Sequence, residues 1–327
     1  MRDITVETVD WRLAEPFTVS RGTQTVQPTL RVTLRDAAGY MGRGEACPVY
    51  YRGETVAAMA AGVRQACPAL AAGLDRMGLL GAMPAGAARQ AVDAALWDLE
   101  AKRGGTTAFA LAGVAARPVL SARTIGIRPL AAYREAAARL ASWPLLKVKV
   151  GAENPLAALK AVRAGAPAAR LIVDPNQSWS VAQLRDLAPR LADLGTVLIE
   201  QPIAVGDEAG LDGWVSPVPL CADELIDQAA DLPKARARFQ AINIKLDKSG
   251  GLTAGLALAR QARAEGFGLM VGCMGGSSLS MAPAMVLAQL CDFVDLDGPL
   301  LQADDIRPGF AYANGCVAHP LIPELWG

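Results

Sequence analysis

Histidine is almost missing. The chain contains one, His319, in the stretch VAHPLI and away from every other polar cluster. Ser-His-Asp hydrolysis, Cys-His proteolysis and a histidine-built zinc centre are thereby excluded, and any base must be a lysine or a carboxylate. Net charge is missing as well. Lysine plus arginine number 32 and aspartate plus glutamate also 32, so no overall field recruits nucleic acid or an anionic membrane. CxxC pairs are absent: Cys47, Cys67, Cys221, Cys273, Cys291 and Cys316 are scattered. In a long chain that points to reduced, mostly buried thiols and a cytoplasmic setting. The opening MRDITVETVDWRL alternates polar and apolar residues and carries early acids, which reads as a strand and not as a signal peptide. Charge is absent from Gly268 to Leu290, a run long enough to span a membrane. A Gly-Gly-Ser-Ser break and a proline divide it, so it reads as a buried strand, a loop and a helix.

Apolar residues make up 52% of the 327, ample for a large core, and the length suits a barrel with a smaller domain. Residues 1 to about 115 read as an α+β unit. Ile4–Leu13 and Thr29–Leu34 alternate as strands, with a turn at RDAAGY, 35–40. Residues 86–102 predict an amphipathic helix with Val92, Ala95, Leu96 and Leu99 as its apolar stripe, stopped by Gly104-Gly105. From about Val119 the rhythm changes. Short β runs begin near Val119, Leu145, Leu171, Thr196, Pro219, Ala241, Gly268 and Phe293, roughly 22 to 27 residues apart. Alanine-rich stretches at 155–164, 181–193, 229–239, 254–265 and 282–289 are long enough for crossover helices. Eight such units predict a closed barrel. The expected organisation is a cap over 1–115, a barrel over 116–304, and a tail over 305–327 that packs back on the cap.

The charges that remain stand in conspicuous places. Lys147, Lys149, Lys245, Asp174, Glu200 and Asp223 lie within or at the end of apolar β runs, where burial is costly unless a charge is paired or binds a metal. The acids fall at the C-terminal ends of the third, fourth and fifth barrel strands, 26 and 23 residues apart, where barrel active sites form. Three converging carboxylates call for a hard divalent cation, Mg²⁺ or Mn²⁺. Lys147 and Lys149 alternate on the second strand and so share its inner face. Lys245 lies opposite, on the sixth. Burial and neighbouring cations are expected to lower a lysine pKa and make a competent base. Asp295 and Asp297 alternate on the eighth strand, an acceptor pair suited to a cation.

The motifs KVK (147–149), DPNQSW (174–179), EQP (200–202), ADE (222–224), NIKLDKSGG (243–251) and DLDGP (295–299) resemble the enolase superfamily, in its muconate lactonizing enzyme subgroup and, more narrowly, among its bacterial dipeptide epimerases. The resemblance covers almost the whole chain. It implies a modified TIM barrel, (β/α)7β, with an N-terminal α+β capping domain completed by the C-terminal tail. It implies one Mg²⁺ per subunit held by Asp174, Glu200 and Asp223, with Lys149 and Lys245 as bases on opposite faces of the substrate. Lys147 would hold a carboxylate oxygen, and Asp295 and Asp297 the free ammonium of a dipeptide. The implied reaction is 1,1-proton transfer at the α-carbon of the C-terminal residue, as in L-Ala-D/L-Glu epimerisation, in a cytoplasmic homo-oligomer. o-Succinylbenzoate synthesis, N-succinylamino acid racemisation and muconate cycloisomerisation belong to the same subgroup and remain alternatives. Two features are particular to this chain. In VGCMGGSS, Met274 is followed by Gly275 and Gly276 where many members carry glutamate; the glycines suit close approach of backbone to a ligand and are expected to widen the pocket mouth. Among the specificity loops, Arg21 or Arg52 is expected to meet a distal carboxylate, although related epimerases tend to show Arg-Tyr where this chain has Tyr51-Arg52.

Overall fold

The computed structural model describes residues 1–318 and 320–327, so His319 lies outside the described residues. The cap opens with an antiparallel sheet in the order β1 (Asp3–Val19), β2 (Gly22–Arg35), β3 (Met41–Ala46). The first two strands run well beyond the two alternating segments in the sequence. Their paired far ends reach over the barrel mouth, after a register shift between Arg12 and Phe17. Residues 36–40 form the expected turn, in which Asp36 Oδ1 accepts from the amides of Ala38 and Tyr40 at 3.0 Å each. Helices α1 (Val56–Ala71), α2 (Arg76–Ala82), α3 (Ala87–Arg103) and α4 (Ala108–Ala112) follow. Helix α3 has no solvent face over most of its length: besides the apolar stripe, Arg89, Gln90, Asp93 and Asp98 are buried. Its amphipathic pattern separates two buried surfaces, the cap sheet on one side and the barrel on the other.

Eight strands then run parallel: β4 (Arg123–Ile125), β5 (Leu145–Lys149), β6 (Arg170–Asp174), β7 (Thr196–Glu200), β8 (Leu220–Ala222), β9 (Ala241–Lys245), β10 (Gly268–Gly272) and β11 (Phe293–Val294). A parallel bridge from Ser121 to Val294, with Ala122 N donating to Val294 O at 2.7 Å, joins the two ends and closes the barrel. The first strand starts later than Val119 because Val119 and Leu120 pair instead with the small tail hairpin, β12 (Tyr312–Ala313) and β13 (Cys316–Val317). The crossovers are α5 (Leu130–Arg139), α6 (Pro155–Gly165), α7 (Val181–Asp193), a 3-10 turn at Glu208–Leu211, the short α8 (Leu232–Ala235), α9 (Leu246–Ser249) with α10 (Leu252–Ala264), and α11 (Ser278–Ala288). Helix α12 (Gly298–Leu301) follows β11. The stretch 229–239 thus gives only a brief helix, since Arg236 turns to extended backbone after α8.

Inside the barrel the alternation of each strand stacks two layers. Leu145, Ile172, Leu198, Cys221, Ala241 and Met270 pack an apolar floor with Ala122. Two or four residues further on, the same inward rows present Lys147, Lys149, Asp174, Glu200 and Lys245, with Asp223 one residue beyond its strand. The tail returns to the cap: Trp326 Nε1 donates to Ala94 O at 3.0 Å and Gly327 N to Asp98 Oδ1 at 2.7 Å. All six cysteines are free, but only Cys47 and Cys221 are buried, fewer than expected. Among the described residues no helix is long and apolar enough to cross a membrane.

Candidate active site

Three carboxylates lie at the upper end of the barrel interior. Asp174 ends β6, Glu200 ends β7, and Asp223 follows β8; all are essentially inaccessible to solvent. Lysines answer them. Lys147 Nζ lies 3.2 Å from Asp174, 2.7 Å from Glu200 and 2.8 Å from Asp295. Lys149 Nζ donates to Asp174 Oδ2 at 2.5 Å and to Asn176 Oδ1 at 3.0 Å. Lys245 Nζ donates to Asp223 Oδ2 at 2.6 Å. Gln201, from the EQP motif, fixes Asp223 by accepting its amide at 2.9 Å.

The electrostatics follow from this interleaving. Burial pushes Asp174 up, but Lys149 and Lys147 outweigh it and hold its pKa at about 2. Burial and the neighbouring Asp174 raise Glu200 to about 7. Burial pulls Lys245 down, yet Asp223 and Glu200 more than reverse it and hold this lysine well above its ordinary value. With these partners the direction is opposite to the expected one for Lys245, and likewise for Lys147, because the nearest groups to both are anions. The lysine that is lowered is Lys248, by burial.

Among the described residues no three acids, cysteines or histidines stand together at metal-holding distance in this arrangement, since ammonium groups lie between the carboxylates. The donor set nevertheless fits a hard cation. It is oxygen only, wholly buried and contributed by consecutive strands. Glu200 Oε2 lies 2.7 Å from Lys147 Nζ but off the hydrogen-bond direction, so a buried carboxylate oxygen has no aligned donor.

Above this layer is a cavity of about 270 Å³, lined by Lys147, Lys149 and Lys245 from below and by the far ends of β1 and β2 from above. Asp295, Asp297, Met274, Gly275 and Arg21 also line it. Asp295 and Asp297 lie just past β11 instead of on it, and both remain buried. Asp295 Oδ1 and Asp297 Oδ1 lie 3.4 and 3.3 Å from the same Thr124 hydroxyl, so two carboxylates converge on one spot. Arg123 holds the other oxygen of Asp297 at 3.2 Å. Arg21 pairs with Glu224 and stacks over Tyr51, 4.7 Å from the ring centre.

Two expectations fail here. Arg52 does not line the cavity; it pairs with Asp227, and Tyr51 takes the inward position. Gly275 and Gly276 do not widen the mouth. A β-carbon at Gly275 would sit 2.7 Å from Gln27 Oε1, and one at Gly276 would sit 2.8 Å from Ser280 and 3.0 Å from Cys47 Sγ, so the glycines admit cap and helix atoms.

Several site residues escaped the sequence reading. Asn243 donates to Glu200 Oε1 at 2.9 Å, and its alternation with Lys245 was a usable signal. Lys248 donates to Asp223 Oδ1 at 2.7 Å and to Ile226 O at 2.8 Å. Its signal was a second lysine one turn after the first. Thr124 and Arg123 carried no signal, because only closure of the barrel brings β4 beside Asp295 and Asp297.

Comparison with known proteins places this architecture. Residues 1–113 match the mandelate racemase/muconate lactonizing enzyme N-terminal domain, and residues 131–323 match the enolase C-terminal domain-like family. The chain is 39% identical over 318 residues to an L-Ala-D/L-Glu epimerase of Escherichia coli strain K12, covering 96% of this chain and 99% of that protein. It is 43% identical over 249 residues to an N-acetyl-D-glutamate racemase of Pseudoalteromonas, covering 76% and 79%. A crystal structure of an enolase family member from Agrobacterium tumefaciens, with bound sodium and L-Ala-L-Glu, superposes with a TM-score of 0.97 at 43% identity over 100% of both chains.

Proposed function

We infer that this chain, which belongs to the mandelate racemase/muconate lactonizing enzyme family of the enolase superfamily, is an isomerase that inverts the α-carbon of the C-terminal residue of a dipeptide of the L-Ala-D/L-Glu kind. The observation that carries this reading is the placement of Lys149 and Lys245. They face one cavity from β5 and β9, with the acid-bearing ends of β6, β7 and β8 between them. Inversion needs removal of a proton on one face and its return on the other, and two bases on opposite walls do that without substrate turning over.

Asp174, Glu200 and Asp223 are the residues that would hold one Mg²⁺. When bound, the ion supplies positive charge beside the substrate carboxylate, the established strategy of enolase-superfamily sites. Lys147, reaching between the acids, orients a carboxylate oxygen. Asp295 and Asp297 receive the dipeptide ammonium near Thr124. Arg21, exchanging Glu224 for the substrate, meets the glutamate side-chain carboxylate, a pairing in which the guanidinium fork is favoured. Met274 and Gly275 close the wall beside it. The six free cysteines suit a cytoplasmic setting.

Racemisation of an N-acylated glutamate is the second reading, favoured by the likeness to the N-acetyl-D-glutamate racemase. Such a substrate has no ammonium, so the converging carboxylates of Asp295 and Asp297 favour the dipeptide. Proton NMR in D₂O with Mg²⁺ separates the two. With L-Ala-L-Glu, the glutamate α-proton signal should fade and the L,D diastereomer appear. Exchange of N-acetylglutamate alone selects the second reading, and exchange of neither, across a dipeptide library, overturns both.

A further inference from the structure

The two lysines share a cavity but are held by different parts of the molecule. The direct partners of Lys149 belong to the barrel: its Nζ meets Asp174 and Asn176, and its carbonyl accepts from Tyr133 Oη of α5 at 2.9 Å. Among the described residues the cap hydrogen-bonds here only with the Asn176 carbonyl, from Ser20 Oγ at 3.3 Å. The turn that leaves Lys245 is gripped from the cap at three points. Asp247 Oδ1 accepts from Cys47 N, just past β3, at 2.9 Å. Arg89 of α3 donates to Ser249 O at 2.7 Å and Gly250 O at 2.8 Å. Asp93, one turn along, accepts from Thr253 N at 3.0 Å and Thr253 Oγ1 at 2.6 Å.

The chain is shaped for these contacts. Gly250 and Gly251 have φ of +76° and +125°. A β-carbon at Gly250 would sit 2.6 Å from Arg89 Nε, and one at Gly251 would sit 2.5 Å from Asp93 Oδ2. Arg89, Asp93 and Asp247 are themselves buried, where a polar group keeps its place only through such partners. The segment starting at Cys47 also carries Tyr51 into the cavity, and Glu54 pins its far end by accepting from Val49 N at 2.7 Å and Ala87 N at 3.1 Å.

We propose that helix α3 and the chain just past β3 position one base: Arg89 and Asp93 of the cap, with Asp247 bonded to Cys47 N, fix the turn after Lys245, and none of them acts on Lys149. The inference rests on the two-base reading above. It makes Arg89 and Asp247 positioning residues, and ties the frame carrying Tyr51 to proton transfer on a single face of the substrate.

The test uses the full chain with Mg²⁺ and follows α-proton exchange by NMR in D₂O, starting from each epimer of Ala-Glu. Lys149→Ala leaves only Lys245 acting and Lys245→Ala leaves only Lys149, so each should exchange one epimer. Arg89→Lys, which keeps the charge but loses the fork, is then added to both. Exchange should fall about tenfold or more in the Lys149→Ala protein and less than about twofold in the Lys245→Ala protein, misplacement by about an ångström being enough for such a loss. Retained exchange in the second protein also shows that it is folded. Asp247→Asn, tested the same way, should give the same asymmetry. Equal losses in the two backgrounds with both substitutions, or no loss in either, overturn the inference. If neither single-lysine protein exchanges one epimer selectively before Arg89 is changed, the two-base reading fails first and the inference falls with it.

Discussion

Tyr51 and Arg52 show how much depends on a single position. A loop with the order Tyr-Arg presents its aromatic ring inward and its guanidinium outward, to Asp227. The Tyr51 hydroxyl is buried and has no hydrogen-bond partner among the described residues. Burial, then Asp223, pushes this phenol well up, so it stays protonated and available as a donor. An orphaned buried hydroxyl costs roughly 1–3 kcal/mol, which a ligand acceptor would recover. Tyr51→Phe is therefore expected to leave thermal stability unchanged or slightly higher. The same change should lower kcat/KM for the dipeptide by about tenfold, the equivalent of about 1.4 kcal/mol. Steady-state kinetics beside a melting curve check this, and unchanged kcat/KM would remove the hydroxyl from substrate recognition.

At the scale of elements, glycine decides which parts could be read. The barrel strands were legible because short apolar runs bounded by turns recur at a steady interval, and their charged inner residues stood out against them. The acids and lysines of the site were legible for that reason. Strand β3, MGRGEA, was not, because two of its six residues are glycines and two are charged. Those glycines are what lets α3 lie against it: β-carbons at Gly42 and Gly44 would come within 2.1 Å of Ala95 O and Ala91 O. Helix α1 was missed although Thr55, its N-cap, accepts from Ala58 N, a recognisable start signal. Contacts that depend on closure, such as Thr124 with Asp297, had no local pattern at all. The loop after β10 belongs to the same logic. Glu45 from β3 accepts from Ser277 Oγ at 2.7 Å and holds this loop against the cap, while Gly275 and Gly276 adopt φ of +117° and +106°. Gly275→Ala is expected to cost about 1–3 kcal/mol, from backbone strain and displacement of Gln27, and to reduce turnover. Urea unfolding with kinetics on the same protein measures both; an alanine variant of wild-type stability would show that the loop relaxes freely.

For the molecule as a whole, the cost of joining cap to barrel lies in buried carboxyls. Burial raises Asp93 to about 6 despite its bonds to Thr253, and raises Asp247 to about 7. An unfolded aspartate titrates near 3.8. Between that value and about 6 the folded form keeps a proton on Asp93 that the unfolded form has lost. Stability from this group is therefore fully present below about 3.8, falls as pH rises through mild acid, and is lost above about 6, a change of roughly 3 kcal/mol at most. Asp174 behaves oppositely. With its pKa at about 2, its contribution is present above 3.8 and disappears as pH falls through 2. Asp174 should thus limit the protein in strong acid, and the carboxyls that burial raises, Asp93 and Asp247 at the cap–barrel seam and Glu200 in the site, towards neutrality. Removing the titrating proton at Asp93 isolates the second effect. In Asp93→Asn, the urea midpoint should decline less between pH 4 and pH 7 than in the unaltered chain, whatever its absolute value, since the amide has no charge to bury. Measurement of both midpoints across that range, in metal-free buffer so that the site is alike in the two proteins, reads the difference directly. Parallel declines would mean that Asp93 keeps an ordinary carboxyl pKa, and that the seam carries its charge without penalty.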